Sequence, residues 1–141
     1  MTDAELVEKK LTFILTSVAQ LRANARTEHL TTDIVQRRFV EHTLQLAIQG
    51  ILDVASHIAS DDRLGEPTSN YELLDLLCGA GWIDDAQRKT LRAMIGFRNV
   101  LVHEYVEVDL VIVRDVVENR LGAFETFVDA VRSRGALSGR A

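Results

Sequence analysis

Apolar side chains recur along almost the whole chain at steps of three and four residues, the spacing that lines one face of an α-helix. The pattern predicts an all-helical protein, with Pro67 as the single proline to interrupt it. A capping box, Thr2-x-x-Glu5, opens the first helix, which turns Leu6, Phe13, Val18 and Leu21 inward and fades near Asn24. The second helix starts near Thr32 or Asp33 and runs to about Ser60. A polar loop, DDRLGEPTSN, separates it from a second box, Ser69-x-x-Glu72, and a short helix that stops around Gly79 and Gly81. Trp82 is then expected to plug the core. Asp84 and Gln87 form a third box and begin a fourth helix ending near Tyr105. Val106 to Val108 reads as extended, and Asp109 caps a last long helix toward Arg134. The expected architecture is an antiparallel bundle of about five helices, a single domain over 1–134 with a flexible tail over 135–141.

The polar positions of the second helix break the usual rule. From Leu44 to Ser60, LQLAIQGILDVASHIAS, there is no Lys, Arg or Glu, and the one formally charged residue is Asp53. A solvent-facing helix carries charges on its wet face. Here the polar stripe is Gln45, Gln49, Asp53, His57 and Ser60. It faces a second chain, lines a cleft, or is an uncharged exposed face.

Length and composition narrow the setting. With 141 residues, 47% hydrophobic and 26% charged, the chain suits one globular core. No apolar run approaches the ~18 residues of a membrane span. The first ten residues are acidic and polar rather than signal-like, and Cys78 has no second cysteine to pair with, so a cytoplasmic location is expected. Cys78 follows two leucines and reads as a packing residue. The formal charge of −5 argues against coating nucleic acid with the whole surface, so any such role must be local. Arg88, Lys89 and Arg92 form one basic cluster and Arg37 with Arg38 another; each is equally well a solvated helix face.

The stretch FRNVLVHEY, Phe97 to Tyr105, concentrates the candidate chemistry. Leu91, Ile95, Arg98, Val102 and Tyr105 share one helical stripe, so Arg98 interrupts an inward row. A guanidinium there is either half of a structural ion pair, with Asp53 as the candidate carboxylate, or a phosphate ligand. His103 lies roughly 140° around an ideal helix from Arg98, and alignment of the two requires the last turn to loosen. Arginine stabilises charge on a phosphorane-like transition state, histidine moves protons near neutral pH, and a tyrosine hydroxyl donates to phosphoryl oxygens. No phosphate-cradling glycine loop, nucleophile elbow or zinc-ligand spacing accompanies them, and no metal or cofactor is called for.

Arg98, four residues, His103, one residue and Tyr105 reproduce the R-x4-H-x-Y signature of the HepT-like toxins of the HEPN superfamily, with Asn99 in its usual place after the arginine. The resemblance covers roughly Asp33 to Phe127 and includes ILDVASHI, the loop with LGEP, YELLDLL and MIGFRNVLVHEY. It implies a HEPN-like four-helix core plus a short helix, and a homodimer with the motif helices near its two-fold axis. It further implies a metal-independent ribonuclease toxin of a type VII-like toxin–antitoxin system acting on mRNA or tRNA. Arg98 and His103 carry over as catalytic residues and Asp53 and Asn99 as supporting ones. The implied partner is a minimal nucleotidyltransferase antitoxin that transfers AMP to Tyr105. The alternative is a non-catalytic, substrate-binding or regulatory subunit of a nucleotidyltransferase. The dimer expected from the helix-two stripe places Asp53 against Arg98 and buries Leu52 and Val102 between the chains.

Overall fold

The computed structural model describes residues 3–103 and 107–138, with the side chains of 136–138 left aside. The described residues form α1 (Asp3–Asn24), a single 3-10 turn (Thr27–His29), α2 (Ile34–Asp61), α3 (Asn70–Gly79), α4 (Asp85–Val102), α5 (Leu110–Asp115), a π turn (Val116–Arg120) and α6 (Gly122–Ser138). No strand occurs among them.

The caps follow the local sequence. Asp33 accepts hydrogen bonds from the backbone N–H groups of Val35 and Gln36, and Ser69 accepts one from Glu72. Glu72 turns its own carboxylate to Thr68 instead of closing a reciprocal box. Asp84 and Gln87 do close one, and Asp109 caps α5 through the N–H of Val111. Thr2 and Val106 lie outside the described residues. Where α3 stops, the N–H of Gly81 bonds to Cys78 and that of Trp82 to Leu77, with Gly81 at φ 84°. This double bond to the last turn requires the left-handed conformation that glycine adopts without penalty.

The end of α2 has the same geometry without the glycine. Arg63 sits at φ 52°, and Leu64 donates back to Ala59. Replacing Arg63 with glycine is expected to raise the unfolding free energy by about 1 kcal/mol, read from the urea midpoint at unchanged slope. An unchanged or lower midpoint contradicts this.

The charge-free stretch of α2 has its explanation in packing. α1, α3, α4 and α6 all lie against α2, so this helix is the centre of the bundle. Val40, Leu44, Ile48, Ile51, Leu52, Val54, Ala55 and Ile58 are all buried. Few directions remain for a charge, and burying an unpaired one is costly. Gly50 lets α1 approach closely: a Cβ there would meet the Ile14 side chain at 2.8 Å.

Five expectations change. Phe13 is 45% exposed, because α1 turns Leu11, Ile14, Val18 and Leu21 to the core instead. Leu52 is 3% exposed within the single chain and so is not free to line an interface. Trp82 sits at the rim, its indole N–H donating to Asp62 at 3.2 Å and its ring lying 4.8 Å from the Arg134 guanidinium. The expected last helix is two helices joined by a π turn, which spaces buried Val116 and Leu121 five residues apart and still turns both inward. α6 then continues past Arg134 to Ser138, into the expected tail.

Candidate active site

α4 carries Leu91, Met94 and Ile95 into the core and then emerges. By Val102 the same row is 38% exposed, and Arg98 lies at the transition. The helix ends at Val102, before the expected end near Tyr105. His103 takes an extended C-cap conformation, φ −85° and ψ 102°, and is exposed. The angular offset of an ideal helix therefore no longer governs its direction. Tyr105 lies outside the described residues.

The Arg98 guanidinium reaches α2. Its Nη2 donates to Gln49 Oε1 at 2.7 Å, and its Nη1 makes a long 3.4 Å contact with Asn99 Oδ1. Its Nε is buried and has no hydrogen-bond partner among the described residues. The direct ion pair with Asp53 is not formed. Asp53 Oδ1 accepts from Gln49 Nε2 at 2.9 Å, and Oδ2 pairs with Lys10 Nζ of α1 at 3.1 Å. Asp53 is thus one residue removed from the arginine, with Gln49 between them. The reason is reach: Gln49, one turn earlier on α2, occupies the position facing α4, while Asp53 turns toward α1.

Gln49 was visible in the sequence as a member of the polar stripe, but its part in holding Arg98 was not. Lys10 gave no local signal, because its partner lies 43 residues away. Gln45, Gln49, Asp53 and His57 are all half-buried, and Lys10, Asp53, Ser56, His57 and Ser60 line a shallow groove of about 410 Å³. The Asp53, His57 and Ser60 part of that stripe therefore borders a groove within the single chain.

The basic clusters seen in the sequence divide sharply. Arg88 pairs with Asp75 at 3.1 Å and Asp85 at 2.6 Å, and Lys89 pairs with Asp85 at 3.2 Å. The hydrogen bond from Arg88 is the main reason the Asp85 carboxyl is held below its ordinary value. Arg92 pairs with Asp75 at 3.0 Å and covers the Tyr71 ring at 5.1 Å. Arg37 lies 4.0 Å from Glu41, whose carboxyl is nevertheless pushed up, chiefly by burial. Arg98 is different. Among the described residues it forms no salt bridge with a carboxylate, and its two contacts are neutral amides.

The family model described as Ribonuclease HepT-like matches residues 14–131. The chain is 36% identical over 90 residues to the mRNA nuclease HepT of Shewanella oneidensis, covering 64% of this chain and 68% of the relative. It is 28% identical over 113 residues to the tRNA nuclease HepT of Aphanizomenon flos-aquae, covering 77% of each. The fold superposes with a TM-score of 0.85 on the tri-AMPylated HEPN toxin of Shewanella oneidensis solved in complex with MNT antitoxin, at 28% identity, over 94% of this chain and 99% of that one. With a family match that spans the bundle from α1 to α6 and takes in the Arg98 and His103 motif, the chain belongs to the Ribonuclease HepT-like family.

Proposed function

We propose that this HepT-like ribonuclease cuts RNA through Arg98 and His103, and that it is the toxin of a pair whose antitoxin is a nucleotidyltransferase. The observation that carries the reading is that Arg98, among the described residues, pairs with no carboxylate. The other cations of α4 are tied to carboxylates, whereas among the described residues Arg98 is held by neutral amides and its buried Nε has no acceptor. Such a guanidinium has its charge available for a phosphate.

In the proposed reaction His103 takes the proton of a ribose 2′-hydroxyl. The 2′-oxygen attacks the adjacent phosphorus, and the bond to the 5′-oxygen breaks as that oxygen receives a proton. The products are a 2′,3′-cyclic phosphate and a 5′-hydroxyl. Arg98 stabilises the charge that builds on the phosphoryl oxygens, and no metal enters the scheme. Purified protein should cleave RNA in the presence of chelator and leave those ends. Wild-type protein that leaves mRNA and tRNA intact, with growth unaffected on induction, contradicts the reading.

Relatives acting on mRNA and on tRNA make both substrate classes reasonable. The tri-AMPylated neighbour supports control by AMP transfer, with the Tyr105 hydroxyl as acceptor. AMP on Tyr105, seven residues after Arg98 in the chain, brings bulk and a phosphate to compete for the same guanidinium. Tyr71, stacked beneath Arg92, is the internal control, and modification of a Tyr105→Phe protein to the wild-type extent removes Tyr105 from this role. No described helix is long and apolar enough to cross a membrane, which suits a cytoplasmic toxin acting on cellular RNA.

The active form in this reading is a homodimer. Phe13 and Leu46, 45% and 38% exposed, flank Gly50 beside Gln49, and Val102, also 38% exposed, follows Arg98 by one turn. Exposed apolar side chains on the helices that carry Gln49 and Arg98 suit a two-fold contact that brings two copies of Arg98 and His103 to one groove. Sedimentation at tens of micromolar should give twice the chain mass. A persistent 15.8 kDa species overturns the dimer.

A further inference from the structure

We propose that Gln49 is the positioning residue of Arg98, and that Lys10 and Asp53 act through it by fixing which end of its amide faces the arginine. The inference rests on the nuclease reading for its kinetic consequence, but not for its geometry.

A glutamine amide can present either its oxygen or its NH2 group. Here both neighbours constrain the choice. Arg98 is a donor only, and an ionised Asp53 is an acceptor only. The single arrangement that satisfies both has Oε1 toward Arg98, at 2.7 Å, and Nε2 toward Asp53, at 2.9 Å. Lys10, 3.1 Å from the other Asp53 oxygen, keeps that carboxylate oriented from α1. A chain of polar contacts therefore crosses three helices, and each link holds the next.

The neutrality of the amide matters as much as its direction. A carboxylate at position 49 would pair with the guanidinium and compete with a substrate phosphate for its charge. The amide holds the arginine by one strong hydrogen bond and leaves its charge uncancelled.

Three variants test this: Gln49→Ala, Gln49→Glu and Lys10→Met. Gln49→Ala should lower kcat for RNA cleavage about 10- to 100-fold, the scale of a misplaced catalytic group, with KM changed much less. Gln49→Glu should also lose activity near neutral pH. Its kcat relative to wild type should climb as pH falls through the carboxylate range, because protonation restores a neutral acceptor. Dividing by the wild-type rate removes the pH dependence common to both proteins. Lys10→Met should give a smaller loss with the same KM-to-kcat pattern, since Asp53 keeps its bond to Gln49.

A second readout is independent of RNA. In 15N-labelled wild-type protein the Arg98 Nη groups should rotate slowly, and Gln49→Ala should release them. If Gln49→Ala retains wild-type kcat while Arg98→Ala is inactive, Gln49 is not a positioning residue. If Gln49→Glu shows a pH-independent ratio to wild type, charge at this position does not control Arg98. Equal Arg98 rotation in wild type and Gln49→Ala removes the relay whatever the activity. Slow rotation in a wild-type protein that cuts no RNA sinks the nuclease reading and leaves the geometric relay standing.

Discussion

Replacing Arg98 with alanine is expected to lower kcat for RNA cleavage by about 10²- to 10³-fold, the usual loss when a donor aimed at developing charge is removed. The fold should survive, because Arg98 forms no salt bridge with a described carboxylate and Gln49 is near enough to solvent for water to take its place. Arg98→Lys retains charge but not the planar fork, so it should recover only part of the rate. His103→Ala should cost about 10²- to 10⁴-fold as a lost proton-transfer group. Because the two residues act on one transition state, the double variant should fall well short of the product of the two losses. Growth on induction gives the cellular counterpart: both single variants should be harmless where wild type is toxic. Full cleavage by Arg98→Ala would remove the central residue from the proposed mechanism, and no choice of RNA substrate would restore it.

The largest expected change in stability comes from the hydrophobic core. Phe124→Ala should lower the unfolding free energy by about 3–5 kcal/mol, out of a total that for a domain is commonly about 5–15. Phe124 is fully buried and enters the core immediately after the π turn, where α6 packs against α1, α2 and α4. Deleting the ring leaves a cavity that a close-packed core cannot close by a small shift. The measurement is a denaturant midpoint with the slope checked for two-state behaviour. A loss below about 1 kcal/mol would mean that the helices repack around the gap.

The helices themselves were readable because their signals are local. The cap at Asp33, the Asp84–Gln87 box and the glycine stop at Gly81 each involve residues within five positions of one another, and each formed as expected. The R-x4-H-x-Y spacing was equally local, and it pointed to the family.

What periodicity did not supply was rotation. Phe13 and Leu52 both belong to apolar rows, yet one faces solvent and the other the core. Which edge of a row turns inward depends on neighbouring helices, not on the row. The π turn was likewise silent, since apolar spacings of three, four and five coexist within the segment from Val113 to Leu121.

By itself, then, the sequence determined the helical class, the order and caps of the helices, the charge-poor second helix and the motif with Arg98 and His103. Tertiary structure alone decided that α2 is the central helix, that Arg88 and Arg92 both pair with Asp75, and that Arg98 rests on Gln49 rather than Asp53. The physical reason is distance along the chain. Caps and periods act over a single turn or two, whereas Arg98 and Gln49 are 49 residues apart and meet only once α4 has packed across α2. Until that crossing is set, the choice between a glutamine and an aspartate one turn away has no expression in the local pattern.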